Sequence, residues 1–107
     1  MQEWIVPAVV TRIIDGDTIE VTLDLGWKLY KNDHVRFAGI NAPEMKTPEG
    51  IAARDFLCTY LQAGQKVMIH SRKLDKYGRC LATVITITGL NLNNLMVKQG
   101  HAVEYMV

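Results

Sequence analysis

Residues 8–23 read AVVTRIIDGDTIEVTL, and this stretch decides the fold. Residues 8–14 are rich in β-branched side chains and run into Asp15-Gly16, a dipeptide that favours a tight hairpin turn. Thr18 to Leu23 then alternates polar and apolar residues, the period of a strand with one buried face. A β-hairpin therefore opens the domain. Working outward, Leu25-Gly26-Trp27 reads as a further turn, followed by Lys28 to Tyr30, and Lys31-Asn32-Asp33 as a second interruption. His34 to Ile40 forms the next strand, which Asn41-Ala42-Pro43 ends because proline cannot donate to a ladder. Pro48-Glu49 suits the first turn of a helix, and Ile51, Ala52, Phe56, Leu57, Tyr60 and Leu61 follow at helical spacing up to a C-cap at Gly64. Lys66 to Arg72 is a strand, Asp75-Lys76-Tyr77-Gly78 a turn, and Cys80 to Thr88 a long strand. Asn91 N-caps a short helix through Leu92, Leu95, Met96 and Val97 to Gly100.

Three strands, a helix, two strands and a short helix make a mainly β, β+α chain. The order suggests a five-stranded Greek-key barrel of the OB type with one main helix and a short C-terminal helix. A twisted α+β sheet is the alternative topology.

The 107 residues suit one domain, 1–107, and 49% hydrophobic with 21% charged residues is globular composition. No apolar run approaches the ~18–20 residues that span a bilayer, so no membrane partner is expected. Met1-Gln2-Glu3 lacks the positive charge of a leader, which gives a cytoplasmic expectation, with secretion only if a leader preceded this sequence. The net charge of +1 argues against tight, sequence-blind duplex binding. Residues 66–79 nevertheless gather Lys66, Arg72, Lys73, Lys76 and Arg79 against a single acid, Asp75, enough to hold a short single strand. Cys58 and Cys80, each beside a leucine, read as buried free thiols with packing roles.

Three polar clusters fall at strand ends: Asp15-Gly16-Asp17-Thr18, Arg36 with Asn41-Ala42-Pro43-Glu44, and Asp75-Lys76-Tyr77-Gly78-Arg79. Asp17 is either a turn residue or, with the Asn41 amide oxygen and backbone carbonyls, a ligand of a hard cation such as Ca²⁺. Asp15 reads as a turn residue or a support for that site. Arg36, in an otherwise apolar strand, either points into water or offers its planar fork to a phosphate, and Arg79 carries the same two readings. Glu44 is either a solvated loop carboxylate or a general base that deprotonates a water. Taken together, one Glu, an Asp-centred cation site and two Arg supply what phosphodiester hydrolysis needs.

These motifs resemble the staphylococcal nuclease (thermonuclease) family. Ile14-Asp15-Gly16-Asp17-Thr18, Arg36 with Gly39-Ile40-Asn41-Ala42-Pro43-Glu44, and Asp75-Lys76-Tyr77-Gly78-Arg79 occur in the family's order and spacing. The segment from Leu92 to Gly100, then Ala102, resembles the family's end, so the likeness covers about residues 8–106. The resemblance implies a Ca²⁺-dependent endonuclease on an OB barrel that acts on DNA and RNA, prefers single strands and leaves 3′-phosphates. It implies catalytic roles for Arg36, Arg79 and Glu44, substrate contacts for Lys76, Tyr77 and, approximately, Tyr105, and metal ligation by Asp17, Asn41 and the Ala42 carbonyl. Asn41 stands where the family has an aspartate and Ala42 where it has a threonine, so weaker metal binding or an altered metal preference is expected. The loop after Glu44 is shorter than in the secreted enzyme, the end of the chain is curtailed, and the Asp24–Asp33 hairpin is longer. Trp27 in that hairpin either stacks on a base or packs over a barrel end. His34, His70 and His101 match no catalytic position of the family. The alternative function is a catalytically weak or inactive nuclease-like module that binds nucleic acid or protein, and a monomer is the default state.

Overall fold

The computed structural model of the chain describes residues 4–74 and 80–105, without the side chains of residues 72–74. Among the described residues, seven strands and two helices follow in the order β1 (Trp4–Asp15), β2 (Thr18–Asp24), β3 (Tyr30–Phe37), β4 (Ile40–Asn41), α1 (Pro48–Cys58), β5 (Lys66–Leu74), β6 (Cys80–Thr86), α2 (Leu92–Lys98) and β7 (Val103–Glu104). Five of the strands close a barrel in the order β1-β2-β3-β6-β5, as the Greek-key reading expects, and β4 pairs with β7 in a separate two-stranded sheet.

Strand β1 serves two partners. Its first half, Trp4 to Val9, lies against β5, and its second half, Ala8 to Asp15, against β2. Register shifts between Val10 and Arg12 and between Ile13 and Asp15 bend it as a barrel requires. The strand starts at Trp4 rather than Ala8. Pro7 is accommodated opposite Met68 at a position that β2 does not reach, the sort of edge where proline is tolerated. Inward positions recur with period two and fill the barrel with Val10, Ile19, Val21, Val35, Phe37, Val67, Ile69 and Val84. Leu57 and Leu61, from α1 and the turn after it, and Leu92 and Met96 from α2 complete the core.

Several expectations change. Lys31-Asn32-Asp33 does not interrupt a strand, since Leu23, Thr22 and Val21 of β2 pair with it in continuous register. Its polar side chains are satisfied on both faces: Thr22 Oγ1 donates to Asn32 Oδ1 at 2.7 Å on the outer face, and on the other face Lys31 Nζ lies 3.5 Å from Asp33 Oδ2. Helix α1 stops at Cys58 with Thr59 as its C-cap, not at Gly64, whose N–H instead donates to the Val10 carbonyl at 2.7 Å. The buried face of α1 is Gly50, Ala53 and Leu57, while Ile51 and Ala52 are exposed. Cys58 is therefore exposed, and only Cys80 is a buried thiol, its pKa raised by burial. The turn expected at Asp75 to Gly78 lies outside the described residues.

Helix α2 begins at the expected N-cap, where the Asn91 side chain accepts from the Asn94 N–H at 3.1 Å. Its neighbour Asn93 is 4% exposed and fully engaged. Asn93 Oδ1 accepts from the Val84 N–H at 3.0 Å, and Nδ2 donates to the Ala38 carbonyl at 2.9 Å and the Ala82 carbonyl at 3.1 Å. This amide joins α2 to β6 and to the end of β3, across the parallel seam that closes the barrel. Replacing it with leucine orphans the buried Val84 N–H and the part-buried Ala38 carbonyl, while the Ala82 carbonyl keeps the Ala38 N–H. Asn93→Leu is expected to lower stability by about 3 kcal/mol in urea unfolding, against near-neutral behaviour for Asn94→Leu on the exposed side of the same helix.

Candidate active site

The turn between β1 and β2 builds the centre of the site. The Asp17 N–H donates to Asp15 Oδ1 at 3.1 Å, a side-chain turn that tightens Asp15-Gly16-Asp17. A Cβ on Gly16 would come within 2.8 Å of the Ala53 Cβ and 2.9 Å of the Ala42 Cβ. Only glycine therefore lets this turn seat against α1 and the chain leaving β4.

Asp17 is turned inward and is 7% exposed. Its Oδ1 accepts from Thr18 Oγ1 at 3.1 Å and its Oδ2 from the Ala42 N–H at 2.8 Å, while its carbonyl receives the Phe37 N–H at 2.8 Å. Arg36 Nη1 lies 3.3 Å from the same Oδ2. The reading of Arg36 as a strand residue pointing into water is thus overturned. Its side chain is 13% exposed, with Nη1 donating to the Phe37 carbonyl at 3.0 Å and Nη2 to Asn41 Oδ1 at 3.2 Å. A buried ion pair is tolerated when its remaining donors and acceptors are satisfied in this way. Asp15, half-buried beside this pair, has its pKa raised to about 6, first by burial and then by the Asp17 carboxylate.

Asn41 is exposed and sits on β4, opposite Val103 of β7. Next to that pairing the Tyr105 N–H donates to the Gly39 carbonyl at 2.8 Å, which brings Tyr105, 49% exposed, to the strand that carries Asn41. Glu44 follows two residues after Ala42. Its carbonyl accepts from the Thr47 N–H at 3.0 Å and from Thr47 Oγ1 at 2.7 Å, and Thr47 Oγ1 in turn caps α1 by accepting from the Gly50 N–H at 3.0 Å. Gly50 lies so close to the Glu44 carbonyl that any Cβ would collide with it. The Glu44 backbone is thereby fixed, while its carboxylate is 72% exposed and 3.2 Å from Lys46 Nζ, a surface pair that restrains it little.

The structure therefore gathers Asp17, Arg36, Asn41 and Ala42 into one cluster and anchors Glu44 beside it on a short loop. Lys76, Tyr77 and Arg79 lie outside the described residues, although Cys80 and Leu81, which follow them, pair with Val35 and Arg36. Among the described residues there is no group of three His, Cys, Asp or Glu that could hold a metal ion. The oxygens of Asp17 and Asn41 nevertheless converge on one cationic group, the Arg36 fork, and they are hard donors suited to a hard divalent ion. His34 bonds Glu20 on the barrel wall at 3.1 Å and His101 stacks on Phe56 at 4.4 Å. Trp27 is 94% exposed and does not pack over a barrel end. Sequence reasoning missed the contacts of Gly16 and Gly50, which hold the two site loops on α1. The signal present was a glycine on the buried side of each helical or hairpin turn.

The family model described as staphylococcal nuclease homologue matches residues 34–107. The chain belongs to the staphylococcal nuclease family. It is similar to endonuclease YhcR of Bacillus subtilis (strain 168), with 36% identity over 112 residues that take in 92% of this chain and 9% of that protein. An uncharacterized endonuclease of Escherichia coli O157:H7 is 38% identical over 96 residues, covering 90% of this chain and 59% of its own length. Micrococcal nuclease of Shigella flexneri is 36% identical over 104 residues, 90% of this chain and 56% of that protein. The chain thus spans between 9% and 59% of the length of these relatives.

The electrostatics of the turn give a pH-dependent signature. A carboxyl whose folded pKa is raised favours the folded state below its unfolded value of 3.8 and loses that contribution as pH rises through about 6. Asp15→Asn removes the charge and keeps the acceptor. In chelator it is expected to raise the melting temperature at pH 8 relative to the parent, with the gain vanishing towards pH 4.

Proposed function

We propose that this domain is a metal-dependent nuclease that hydrolyses phosphodiester bonds of DNA and RNA, with single strands preferred. The observation that carries this reading is the cluster of Asp17, Arg36 and Asn41 beside the anchored Glu44 loop, in a chain of the staphylococcal nuclease family.

Each residue has a role its chemistry suits. Glu44, on a fixed backbone with an exposed carboxylate, takes a proton from the attacking water once Lys46 lets go. Water oxygen bonds to phosphorus, the P–O5′ bond breaks, and the 5′ oxygen leaves with a proton from solvent, so the phosphate stays on the 3′ side. Arg36 has five N–H donors, and three contacts engage it, to Asp17, Phe37 and Asn41. Its remaining donors are suited to the nonbridging oxygens as charge builds on them. Arg79 supplies a second guanidinium, and Lys76, Tyr77 and Tyr105 hold the strand, as the family resemblance implies. Asp17, Asn41 and the carbonyl of Ala42 would hold a divalent cation, most suitably Ca²⁺, which when bound supplies Lewis-acid polarisation of the phosphoryl oxygen. Water exclusion is slight, because the carboxylate of Glu44 is open to solvent.

The test incubates the chain with single-stranded DNA in Ca²⁺, Mg²⁺, Mn²⁺ or chelator, beside Glu44→Gln, Arg36→Ala and Asn41→Asp. Metal-dependent cleavage is expected, with Glu44→Gln and Arg36→Ala each reducing the rate on the order of 10²-fold or more. Asn41→Asp is expected to lower the Ca²⁺ concentration needed for half-maximal rate, since it restores a negative ligand. Activity unchanged by Glu44→Gln would sink the assignment of the base. Cleavage by Asn41→Asp alone would mean a site silenced at its cation position, and silence in both would favour the binding-module reading.

A further inference from the structure

The β2–β3 hairpin ends in a turn that displays an aromatic ring against its own backbone preference. The Leu25 N–H donates to the Leu29 carbonyl at 2.9 Å and the Leu29 N–H to the Gly26 carbonyl at 2.8 Å, so Trp27 and Lys28 are the central residues of a tight turn. Asp24 Oδ1 accepts from the Gly26 N–H at 2.9 Å and stiffens its entry. Trp27 and Lys28 have φ of 56° and 61°, the left-handed values that hairpin turns ordinarily assign to Asn and Gly. A side chain with a Cβ is disfavoured there. The Trp27 ring, almost wholly exposed, finds no packing among the described residues to offset that strain. Leu25, Leu29 and Tyr30 around it are exposed too, and Lys28 and Lys31 are interleaved with them.

The hairpin is also continuous with the candidate active site. Along β3, Tyr30, Asn32, His34 and Arg36 occupy one set of alternate positions, while Val35 and Phe37 point into the core. From Arg36 to Tyr30 the strand covers roughly 20 Å. A stacked single strand at about 3.4 Å per nucleotide would cross it in about six nucleotides. Glu20, an acid on this wall, is already paired with His34 at 3.1 Å and Arg12 at 3.4 Å. Strands two and three of an OB barrel form the wall on which such folds take up oligonucleotides.

We propose that the β2–β3 wall from Arg36 to the hairpin tip is a track for single-stranded nucleic acid, with Trp27 as its distal base-stacking platform and Lys28 as a phosphate contact. The substrate class rests on the nuclease reading above. The preference for single strands follows from the stacking itself, because a base offers its face to an indole only when it is free of its own stack. The domain then favours strands long enough to reach from the cleavage position to the tip.

The experiment uses the 107-residue chain with Trp4→Phe, which leaves Trp27 as the one tryptophan of the two in the sequence. Single-stranded DNA of about twelve nucleotides, and of about three, is titrated in chelator while Trp27 fluorescence and oligonucleotide anisotropy are read. The longer strand is expected to quench Trp27 and to bind more tightly than the shorter. Trp27→Ala is expected to weaken binding of the longer strand about tenfold and to shrink the advantage of length. A second variant, Trp27→Asn with Lys28→Gly, gives the turn its preferred residues. It is expected to melt higher than the parent and still bind the longer strand about tenfold more weakly, which separates recognition from folding. Equal affinity in parent and both variants overturns the track whether or not the protein cleaves DNA. Trp27-dependent binding without cleavage in any metal upholds the track while the nuclease reading falls. A Trp27 emission shift on anionic phosphatidylglycerol vesicles, with none on either oligonucleotide, overturns it in favour of a membrane surface.

Discussion

The buried carboxylate of Asp17 is the point on which barrel and site both depend. It receives the Thr18 hydroxyl, the Ala42 N–H and the Arg36 guanidinium, and its own carbonyl takes the Phe37 N–H. Four chain segments meet there: the β1–β2 turn, the start of β2, the end of β3 and the exit from β4. A charge at that depth is tolerable only with partners on every oxygen, and each partner here is also a structural tie. Removing Asp17 would strand Arg36 unpaired and release the chain leading to Glu44. Loss of activity at Asp17 or Arg36 therefore mixes chemistry with folding. Glu44 and Asn41 are cleaner probes, because both side chains are exposed and hold less of the barrel together.

A second buried polar group fixes the geometry on the other side of Arg36. Among the described residues, strands β3 and β6 meet through three residue pairs, Val35 with Cys80, Arg36 with Leu81 and Phe37 with Ala82. So short a parallel contact has few ladder bonds of its own. The Asn93 amide adds bonds to Val84, Ala82 and Ala38, tying both strands to α2. Barrel closure at this seam is what sets Leu81 beside Arg36, immediately downstream in sequence of the basic cluster that ends at Arg79. The helix near the end of the chain thus contributes to the site without lending it a reactive side chain.

Much of the architecture was legible because local chemistry and burial agree. Asp15-Gly16 and the alternation of residues 18–23 give the first hairpin, and Asn91 caps α2 as its side chain suggests. Where the expectations failed, the cause was tertiary. Lys31-Asn32-Asp33 has the composition of a turn, but β2 supplies a continuous partner and a solvated face. Strands β4 and β7 are two residues each, too short for any pattern, and exist because the end of the chain returns to Gly39. In α1 the small residues Gly50 and Ala53 face inward, since the helix must approach two loops closely, and this turns the bulkier Ile51 outward. Asn93 hid among neighbouring asparagines, although its place three residues before Met96 puts it on the apolar side of α2. For the site, residue types pointed to Asp17, Arg36 and Asn41. That the arginine would lie between the two oxygens could come only from the barrel's register.

That register also gives Asn41 a physical sense. Arg36 brings one positive charge and Asp17 one negative charge to the cluster, and Asn41 adds an oxygen without charge. An aspartate at 41 would place the guanidinium between two carboxylates, with the half-buried Asp15 as a third nearby, and like charges so close disfavour ionisation. The amide leaves Arg36, Asp17 and Asn41 neutral as a set and hydrogen-bonded to one another. The same neutrality reduces the electrostatic pull on a divalent ion. Under the nuclease reading, a phosphate arriving at Arg36 restores the missing negative charge. Cation and substrate would then each favour the arrival of the other, and the neutral amide at 41 would leave part of the metal's affinity to the strand being cut.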